Sequence, residues 1–454
     1  MKYNDLVAKY PVMYYHGFTI NEDEEKIEIV YDFETAGLSS FAPSFTLKKP
    51  AFAGMMKNVK LFREAAFSLG MVELVSYWKI ACPRRVVVEC SSLDKEQIKW
   101  WKKLYFNGLG EFFYKNEIEA DLETFMDLTS VGHPLDGEPL SGTFTGNLIP
   151  VGGGKDSFVS MDLLKEHKDE NYTFIIGKVM SAVHSAQAAG YAENQIVNPS
   201  RTLDPRMLEL NKQGYLNGHT PFSALAAFAA YLTAVVYRRK YIVLSNEASA
   251  NESTVKGSNV NHQYSKTFEF EQDFNAYVGK YLDPSIHYFS LLRGLSELQI
   301  AGIFAQLKQY HAVFRSCNVG SKQEIWCGHC AKCLFVDLMM RAYLPKEEVI
   351  AIFGRDMLED PEMADIFAQL SGISDNKPFE CVGTRDEVNI AIAMGIRRYQ
   401  EAGLELPLLY RQYLTTPYAK AYEGRSVDMT AYNEENLIPP AYDRLVKERM
   451  EALR

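Results

Sequence analysis

The segment PVGGGKDS, at residues 150–157, most constrains how this chain can fold, because it follows an apolar run and precedes a helical pattern. Consecutive glycines permit positive φ and a close approach of the backbone to a ligand. The N–H groups of such a turn and of the first helical residues point to one place, where the helix dipole also favours an anion. The segment therefore predicts a strand, an anion-binding turn and a helix in succession.

The residues of this turn suit a phosphate ligand. Its glycines are Gly152, Gly153 and Gly154. After them, Lys155 can supply positive charge, Asp156 can bind Mg²⁺, and Ser157 can donate a hydrogen bond through its hydroxyl. The pattern is not a Walker A loop, which requires Gly-x-x-x-x-Gly-Lys-Ser/Thr. The alternative interpretation is a glycine-rich turn without a function.

Around the turn, the sequence alternates between short apolar runs and helical patterns. Strands are predicted at residues 148–151, 172–176 and 241–244, and helices at residues 156–165 and 221–239. Such alternation implies parallel β-α-β units, so the predicted fold class is α/β with a doubly wound parallel sheet.

We expect three regions, because a chain of 454 residues is too long for one ordinary core. Residues 1–143 mix apolar runs with turn residues and predict an N-terminal α+β region that binds the substrate. Residues 144–345 contain the alternating pattern and predict the nucleotide-binding domain. Residues 346–454 are charged and helical in pattern, which predicts a C-terminal helical region that closes the site.

The composition indicates a globular protein, with 47% hydrophobic and 23% charged residues. A net charge of −10 argues against a nucleic-acid-binding surface as the main feature. The apolar stretch at residues 222–237 is short for a membrane span and is followed at once by Arg238 and Arg239, which favours a buried helix. No secretory signal is visible at residues 1–12. We therefore expect a cytoplasmic protein without a nucleic-acid, membrane or obligate protein partner.

Four of the seven cysteines lie close together in the sequence and suit a metal site. They are Cys317, Cys327, Cys330 and Cys333. Four thiolates at this spacing can close a tetrahedral Zn²⁺ site, which is structural because no position remains for water. An iron–sulfur cluster is the main competitor, since it also takes four cysteines. His329 is a further candidate ligand, and four unrelated buried cysteines are the remaining alternative.

The glycine-rich turn resembles the PP-loop signature Ser-Gly-Gly-x-Asp-Ser, with Gly152 in place of the first serine. Enzymes with that loop cleave ATP between the α and β phosphates, release pyrophosphate and adenylate a substrate. The resemblance implies ATP and Mg²⁺ as cofactors. Together with the later cysteines, the turn also resembles the cyano-deazaguanine synthases, which are PP-loop ligases. Those enzymes are compact single domains, whereas this chain has large regions on both sides of the turn.

A closer resemblance is to the ATP-dependent UDP-N-acetylmuramoyl-L-alanyl-L-glutamate epimerases. The segments that carry it are SYWKIACP (76–83), LYFNGLGEF (104–112), PVGGGKDS (150–157), GYLNGHTPFSA (214–224), NHQYSKTFEFE (261–271), FRSCN (314–318), WCGHCAKC (326–333) and KPFECVG (377–383). The resemblance implies that the chain converts the terminal L-glutamate of a UDP-linked muramoyl dipeptide, a peptidoglycan precursor, to D-glutamate. Adenylation of the α-carboxylate removes its negative charge and makes the Cα proton more acidic. A base can then take that proton from one face, and an acid can return it to the other.

Residues that follow the other predicted strands are candidates for nucleotide contacts. Lys178 lies two residues after the strand at 172–176, where this fold contacts the base or the ribose, and the alternative is a surface lysine. Asn246 and Glu247 follow the strand at 241–244 and are expected to face the same crevice. Glu247 is a candidate either for a Mg²⁺ ligand or for a helix cap.

Four residues are candidates for substrate binding: Tyr77, Lys79, Arg293 and Arg315. The two arginines suit the glutamate side-chain carboxylate or the UDP diphosphate, because a fork-shaped cation matches an oxyanion. Salt bridges within the protein are the alternative. The aromatic segment around Tyr77 suits stacking on the uracil or covering the sugar, and burial in a core is the alternative.

Inversion at Cα needs an acid and a base, and the candidates are His219, His262, Lys266 and Cys381. Cys381 is attractive because cysteine pairs invert glutamate in cofactor-independent racemases, and Cys82 is its candidate partner. That analogy crosses folds. A hydrogen-bonded structural histidine and a small buried cysteine are the alternatives.

Overall fold

The computed structural model describes residues 2–248, 264–320, 323–378, 380 and 382–453. The first of its two sheets, as described, belongs mainly to the N-terminal third of the chain. Its strands are β1 (Val12–Glu22), β2 (Lys26–Thr35), β3 (Ser39–Phe41), β4 (Ser44–Lys48), β5 (Arg85–Val88), β6 (Asp127–Ser130) and β10 (Ser200–Thr202). The strand order is β10-β4-β2-β1-β5-β6, with β3 beside β2. The sheet is mixed, because β1 and β2 are antiparallel whereas β5 is parallel to both of its neighbours.

The second sheet carries the glycine-rich turn. Its strands are β7 (Thr145–Pro150), β8 (Asn171–Phe174), β9 (Ile196–Val197), β11 (Arg239–Leu244) and β12 (His287–Ser290). Every neighbouring pair in the order β12-β11-β7-β8-β9 is parallel. The chain runs from the central strand β7 to β8 and β9 on one side, and then crosses to β11 and β12 on the other. In open parallel sheets, a crevice forms at the carboxyl ends of the strands where the winding reverses, here between β7 and β11.

Helices connect and cover the two sheets. They are α1 (Tyr3–Lys9), α2 (Lys60–Trp78), α3 (Lys95–Gly108), α4 (Gly110–Lys115), α5 (Lys155–Leu163), α6 (Met180–Ala188), α7 (Pro205–Lys212), α8 (Phe222–Tyr237), α9 (Phe268–Tyr281), α10 (Glu297–Gln306), α11 (Ala331–Arg341), α12 (Lys346–Phe353), α13 (Ala364–Ser371), α14 (Arg385–Glu401), α15 (Leu408–Tyr413), α16 (Pro417–Tyr422) and α17 (Pro440–Glu451). The described chain from α12 onward contains helices and no strand, which confirms the expected helical C-terminal region. The predicted strands and helices around the turn are also present, within a few residues of their predicted bounds.

Successive residues of the second sheet point into two different cores. Leu148 and Ile242 pack into the core shared with the first sheet, whereas Ile149 and Val243 pack into the core shared with the C-terminal helices. This alternation follows from the two-residue period of a strand. The sheet is therefore buried on both faces, as parallel sheets generally are.

Helix α8 corresponds to the apolar stretch of the sequence and lies in the first of these cores. It contacts α2 and β11, and almost all of its residues are buried. The helix ends at Arg238, which takes a left-handed conformation and turns the chain directly into β11. The buried-helix interpretation is thus confirmed. Among the described residues, no helix combines the length and the apolarity that crossing a membrane would require.

Strand β10 connects the middle of the chain to the first sheet. It pairs antiparallel with β4, although its residues fall within the region 144–345 that the sequence assigns to the second sheet. Next to this pairing, Arg201 forms a two-point ion pair with Glu73 of α2 at 2.7 and 2.8 Å, with both side chains largely buried. Strand pairing and a buried charge pair therefore attach the segment that follows β9 of the second sheet to the first sheet, in addition to the core that the two sheets share.

Candidate functional site

A cavity of about 350 Å³ opens at the carboxyl ends of β7 and β11, where the winding of the second sheet reverses. The cavity is lined by the glycine-rich turn, by the ends of β7 and β11 and by the cysteine loop, which we define as residues 315–320 and 323–333. The lining residues include Pro150, Gly152, Gly154, Asp156, Ser157, Leu244, Ser245, Asn246, Lys266, Arg315, Ser316, Cys317, Asn318 and Lys332. Segments that are up to about 180 residues apart in sequence thus meet at the position that the sheet topology favours for a ligand.

The glycine-rich turn is held closely against the cysteine loop. Gly153 has a φ of +84°, a conformation that glycine adopts without strain, and its carbonyl accepts a hydrogen bond from the Arg315 N–H at 2.8 Å. A Cβ on Gly154 would lie 3.2 Å from the Cβ of Ser316, so little space remains for a side chain there. The Ser157 hydroxyl accepts a hydrogen bond from the Gly152 N–H at 3.1 Å and closes the turn.

Lys155 lies beneath this turn, with 2% of its side chain exposed. Its ammonium forms ion pairs with Asp156 and with Glu297, the first residue of α10. Burial by itself would lower the pKa of Lys155, but the two carboxylates outweigh it and hold the pKa above its ordinary value. In this structure the lysine therefore joins α5 to α10, and its predicted contact with a phosphate stays a prediction.

Asp156 lines the cavity from the first turn of α5. Burial opposes ionisation of its carboxyl group, but the nearby Lys155, Lys332 and Lys266 lower its pKa below the ordinary value. The carboxylate is thus ionised at neutral pH. Together with the cations Lys266, Arg315 and Lys332, which also line the cavity, it offers one ligand for a metal ion and several partners for phosphates.

The predicted nucleotide residues lie around the same edge of the sheet. Asn246 lines the cavity, and its side-chain amide donates to the Ser290 hydroxyl at 3.1 Å. Glu247 is the next residue and is 8% exposed. Lys178 is exposed and follows β8, and the neighbouring Val179 lines the cavity. These positions agree with the expected crevice, and direct contacts with a nucleotide stay predictions.

Arg293 is fully buried, and its guanidinium connects three segments of the site. It donates to the carbonyl oxygens of Glu247 at 2.6 Å and of Lys266 at 2.7 Å, and it forms an ion pair with Glu271 at 2.9 Å. Arg293 therefore holds site residues in place. This is the salt bridge within the protein that was the alternative to binding a substrate anion. Arg315 differs because it lines the cavity while its guanidinium donates to the carbonyls of Phe314 and Glu324.

Lys79 and His219 form a second polar group in the N-terminal half of the molecule. The Lys79 ammonium donates to the Gly218 carbonyl at 2.5 Å, and burial, together with the charge of Arg201, lowers the pKa of Lys79 to about 8. The His219 ring lies 3.6 Å from the Glu111 carboxylate, measured from Nδ1 to Oε2. Lys79 thus contacts Gly218, and His219 is the next residue in the chain.

Tyr77 lies in the aromatic core of the first sheet and is fully buried. In this structure it therefore has the core position that was the alternative to contact with the substrate. Its ring packs on Phe41 at a centroid distance of 4.9 Å, and its hydroxyl accepts a hydrogen bond from the Asp204 N–H at 3.1 Å. Cys82 is also buried, and this burial raises the pKa of its thiol, which makes the thiolate unfavourable.

Of the four candidates for proton transfer, Lys266 lines the cavity, and His219 belongs to the group around Gly218. His262 and Cys381 lie outside the described residues. Their proposed roles stay predictions.

The four cysteine sulfurs lie together at the edge of the cavity, all within 4.8 Å of one another. The separations are 3.9 Å between Cys317 and Cys330, 3.7 Å between Cys327 and Cys333, and 3.5 Å between Cys330 and Cys333. Four sulfurs about 2.3 Å from one central ion in a tetrahedron are about 3.8 Å apart, so this set fits a single Zn²⁺. His329 lies outside the group and contacts Arg355 at 3.0 Å.

Two residues of the site were not singled out from the sequence. Lys332 lines the cavity, and its position inside the matching segment WCGHCAKC was the available signal. Glu297 pairs with Lys155, and no local pattern distinguishes this carboxylate from others at the start of a helix.

Two family models match the chain. The MurL N-terminal domain matches residues 5–291, and the MurL C-terminal domain matches residues 313–413. The first match alone covers more than half of the 454 residues. No solved structure matches the chain.

Three curated relatives named UDP-N-acetyl-alpha-D-muramoyl-L-alanyl-L-glutamate epimerase are similar over most of their length. The protein from Xanthomonas oryzae pv. oryzae is 35% identical over 345 residues, which are 74% of this chain and 75% of the relative. The protein from Micromonospora sp. is 32% identical over 427 residues, 91% of this chain and 93% of the relative. The protein from Salinispora tropica is 32% identical over 385 residues, 81% of each chain. The resemblance to the UDP-N-acetylmuramoyl-L-alanyl-L-glutamate epimerases is confirmed, whereas the PP-loop assignment and the ATP dependence stay predictions, and the chain belongs to the MurL epimerase family.

Proposed function

We propose that this chain converts the terminal L-glutamate of UDP-N-acetylmuramoyl-L-Ala-L-Glu to D-glutamate, as a cytoplasmic step of peptidoglycan precursor synthesis. The observation that supports this most directly is similarity to relatives named as epimerases of that substrate over 74–91% of the chain. The substrate carries a diphosphate and the two carboxylates of its glutamate, and the arginine and lysine side chains around the cavity suit such groups.

The reaction proceeds through ATP-dependent adenylation of the glutamate α-carboxylate. A cavity with a glycine-rich turn, an ionised aspartate and three cationic side chains supports this, because each feature suits a nucleoside triphosphate with its metal ion. An oxygen of the substrate carboxylate bonds to the α-phosphorus, and the bond from that phosphorus to the bridging oxygen breaks. The electron pair stays on the departing pyrophosphate, so the products are AMP and pyrophosphate once the adenylate is hydrolysed.

Mg²⁺ and Zn²⁺ are the metal ions that the described residues fit. Asp156 would hold Mg²⁺ against the phosphates, with Glu247 nearby as a further candidate ligand. Mg²⁺ supplies charge neutralisation on the phosphate oxygens when it is bound. The four cysteines would hold one Zn²⁺ in a closed site, whose function is to hold the cysteine loop against the glycine-rich turn.

The Cα proton becomes acidic only in the adenylate, so the groups that move it must lie near the cavity. Lys266 satisfies this condition within the described residues. His219 lies three residues before the start of α8 and 3.6 Å from Glu111, outside the residues that line the cavity, so its part in proton transfer is proposed from the sequence. Inversion then requires a second group on the opposite face of Cα, for which Cys381 and His262 stay candidates.

The test is incubation of the purified protein with UDP-N-acetylmuramoyl-L-Ala-L-Glu, ATP and Mg²⁺. Chiral analysis after acid hydrolysis should show D-glutamate, and chromatography should show AMP and pyrophosphate. A reaction without ATP is the control and should leave L-glutamate unchanged. ADP as the sole nucleotide product would contradict adenylation, and an amide of unchanged L-glutamate would indicate the ligase alternative.

A further inference from the structure

Lys332 lies at the point where the cysteine loop meets the cavity. It is the second residue of α11, between Cys330 and Cys333, and it is 9% exposed. Its side chain lines the same cavity as Asp156, on the wall formed by the cysteine loop. Lys332 thus adds a positive charge to the wall of the cavity that the cysteine loop forms.

The backbone of Lys332 is held at the start of α11. Its N–H donates to Oε2 of Glu380 at 2.7 Å, and the cysteines that flank it in sequence, Cys330 and Cys333, bring their sulfurs to 3.5 Å from each other. Its ammonium also lies 5.1 Å from the centre of the Phe335 ring. Lys332 is therefore positioned by the fold on a rigid helix start, as a residue that binds a ligand should be.

The other cations of the site belong to different segments and make different contacts. Lys155 lies beneath the turn, in ion pairs with Asp156 and Glu297. The guanidinium of Arg315 donates to backbone carbonyls. Lys266 approaches from the short 3-10 helix Tyr264–Lys266, a separate segment from the cysteine loop. The cysteine loop thus brings its own lysine to a cavity that the glycine-rich turn also lines.

We propose that Lys332 is a phosphate-binding residue, whose ammonium contacts the β- and γ-phosphates of ATP and, after adenylation, the departing pyrophosphate. This assignment rests on the proposed use of ATP at the same cavity. When the bond between the α-phosphorus and the bridging oxygen breaks, negative charge increases on the pyrophosphate. A fixed cation next to that oxygen stabilises the transition state more than the ground state. The cysteine loop is then part of the nucleotide site as well as a structural element.

The test compares Lys332→Met with Lys332→Arg and with a matched control, Lys308→Met, whose lysine is 65% exposed and pairs with Glu348. Isothermal titration calorimetry measures binding of Mg²⁺-ATP and of inorganic pyrophosphate. We expect Lys332→Met to bind both about 10- to 100-fold more weakly than the wild-type protein. Lys332→Arg should bind within about tenfold of the wild type because it keeps the charge, and Lys308→Met should bind as the wild type does. Zinc content and the thermal midpoint should be unchanged in all three variants.

A second measurement uses the wild-type protein alone and so does not depend on how the variants fold. Saturating pyrophosphate should slow acylation of Lys332 by an amine reagent at least fivefold, as followed by peptide mass spectrometry, while labelling of Lys308 stays constant. Wild-type affinity in Lys332→Met, or labelling of Lys332 that pyrophosphate does not slow, would overturn the proposal. A wild-type protein that binds neither ATP nor pyrophosphate would instead refute the proposed ATP chemistry, and this inference with it.

Discussion

Lys155 and Glu297 form an ion pair beneath the glycine-rich turn, and each is the first residue of its helix, α5 and α10. A carboxylate is favourable at a helix N-terminus, whereas a lysine is not, so the pair with Glu297 and Asp156 offsets the unfavourable position of Lys155. The N–H of Glu297 in turn donates to Glu387 at 2.7 Å, and Glu387 completes the capping box of α14. The position of the turn therefore depends on the C-terminal helical region.

The first prediction concerns the strength of this pair. Lys155→Met leaves the buried carboxylate of Glu297 without its ion-pair partner, and we expect it to lower the free energy of unfolding by about 3–5 kcal/mol. Adding Glu297→Gln should restore part of that loss, with a coupling energy of about 1–3 kcal/mol in urea denaturation. The exposed pair Lys308 and Glu348 is the matched control, with an expected coupling below about 1 kcal/mol. Additive effects of the two buried substitutions would contradict the prediction.

The second prediction concerns Asp156, which we expect to be essential for turnover and dispensable for folding. Asp156→Ala removes the proposed Mg²⁺ ligand, while Lys155 keeps its partner Glu297. We expect kcat to fall at least 100-fold and the urea midpoint to stay close to that of the wild type. Asp136→Ala, at an exposed position, is the control. Near-normal turnover in Asp156→Ala would mean that Asp156 only stabilises the N-terminus of α5.

The third prediction concerns the metal site. We expect one Zn²⁺ per chain in the purified protein, as measured by elemental analysis. The reason is that the three separations given above for the four cysteine sulfurs fit a single ion. Cys330→Ser should lose the metal and lower the thermal midpoint by several degrees, whereas Cys90→Ser, outside the cluster, should keep it. Stoichiometric iron with a visible absorption band would assign the site to a cluster instead.

The fourth prediction is a pH dependence that arises from Lys79. Its pKa is about 8 in the folded protein, below the ordinary value of 10.5. Between these values the unfolded chain binds a proton that the folded chain does not, so stability increases as pH rises from 8 to 10.5 and this gain is lost as pH falls back to 8. From pH 7.5 to 9.5, we expect the wild type to gain up to about 2 kcal/mol relative to Lys79→Met. Parallel pH profiles in urea denaturation would refute this.

The fifth prediction concerns the proton at Cα. Turnover in deuterated water should place deuterium at Cα of the glutamate, as detected by mass spectrometry, because an acid or base of the protein exchanges with solvent. Cys381→Ser should slow this exchange far more than it slows adenylate formation, which isotope exchange between pyrophosphate and ATP measures. If Cys381→Ser exchanges deuterium at the native rate, the cysteine hypothesis fails and His219→Gln becomes the next variant to measure.

Much of the local structure could be predicted from the sequence. Three features depend on residues that are close together in the chain. They are the strand, turn and helix around Gly153, the buried helix α8, and the grouping of the four cysteines. Glycine conformations, apolar periodicity and the short spacing between thiols act over a few residues, so the sequence shows them directly. The membership of the MurL epimerase family was also visible in short segments distributed over the chain.

The side-chain environment of the site could not be predicted in the same way. Arg293 looked suited to a substrate carboxylate, but in the structure it clamps Glu247 and Lys266 through their carbonyls. Tyr77 looked suited to a ring of the substrate, but it packs into the core of the first sheet. A cation or an aromatic ring has the same appearance in the sequence whether its partner is a ligand or a distant part of the chain.

The sequence by itself determined the glycine-rich turn, the spacing of the four cysteines and the order of strands and helices around the turn, because these follow from backbone conformation and from contacts within short segments. Only the tertiary structure decided which charges meet. Lys155 pairs with a carboxylate 142 residues away, and Lys332 reaches the cavity because the cysteine loop packs against the turn through Arg315 and Gly153. Burial makes such pairings strong, and burial depends on how the two sheets and the C-terminal helices enclose the site.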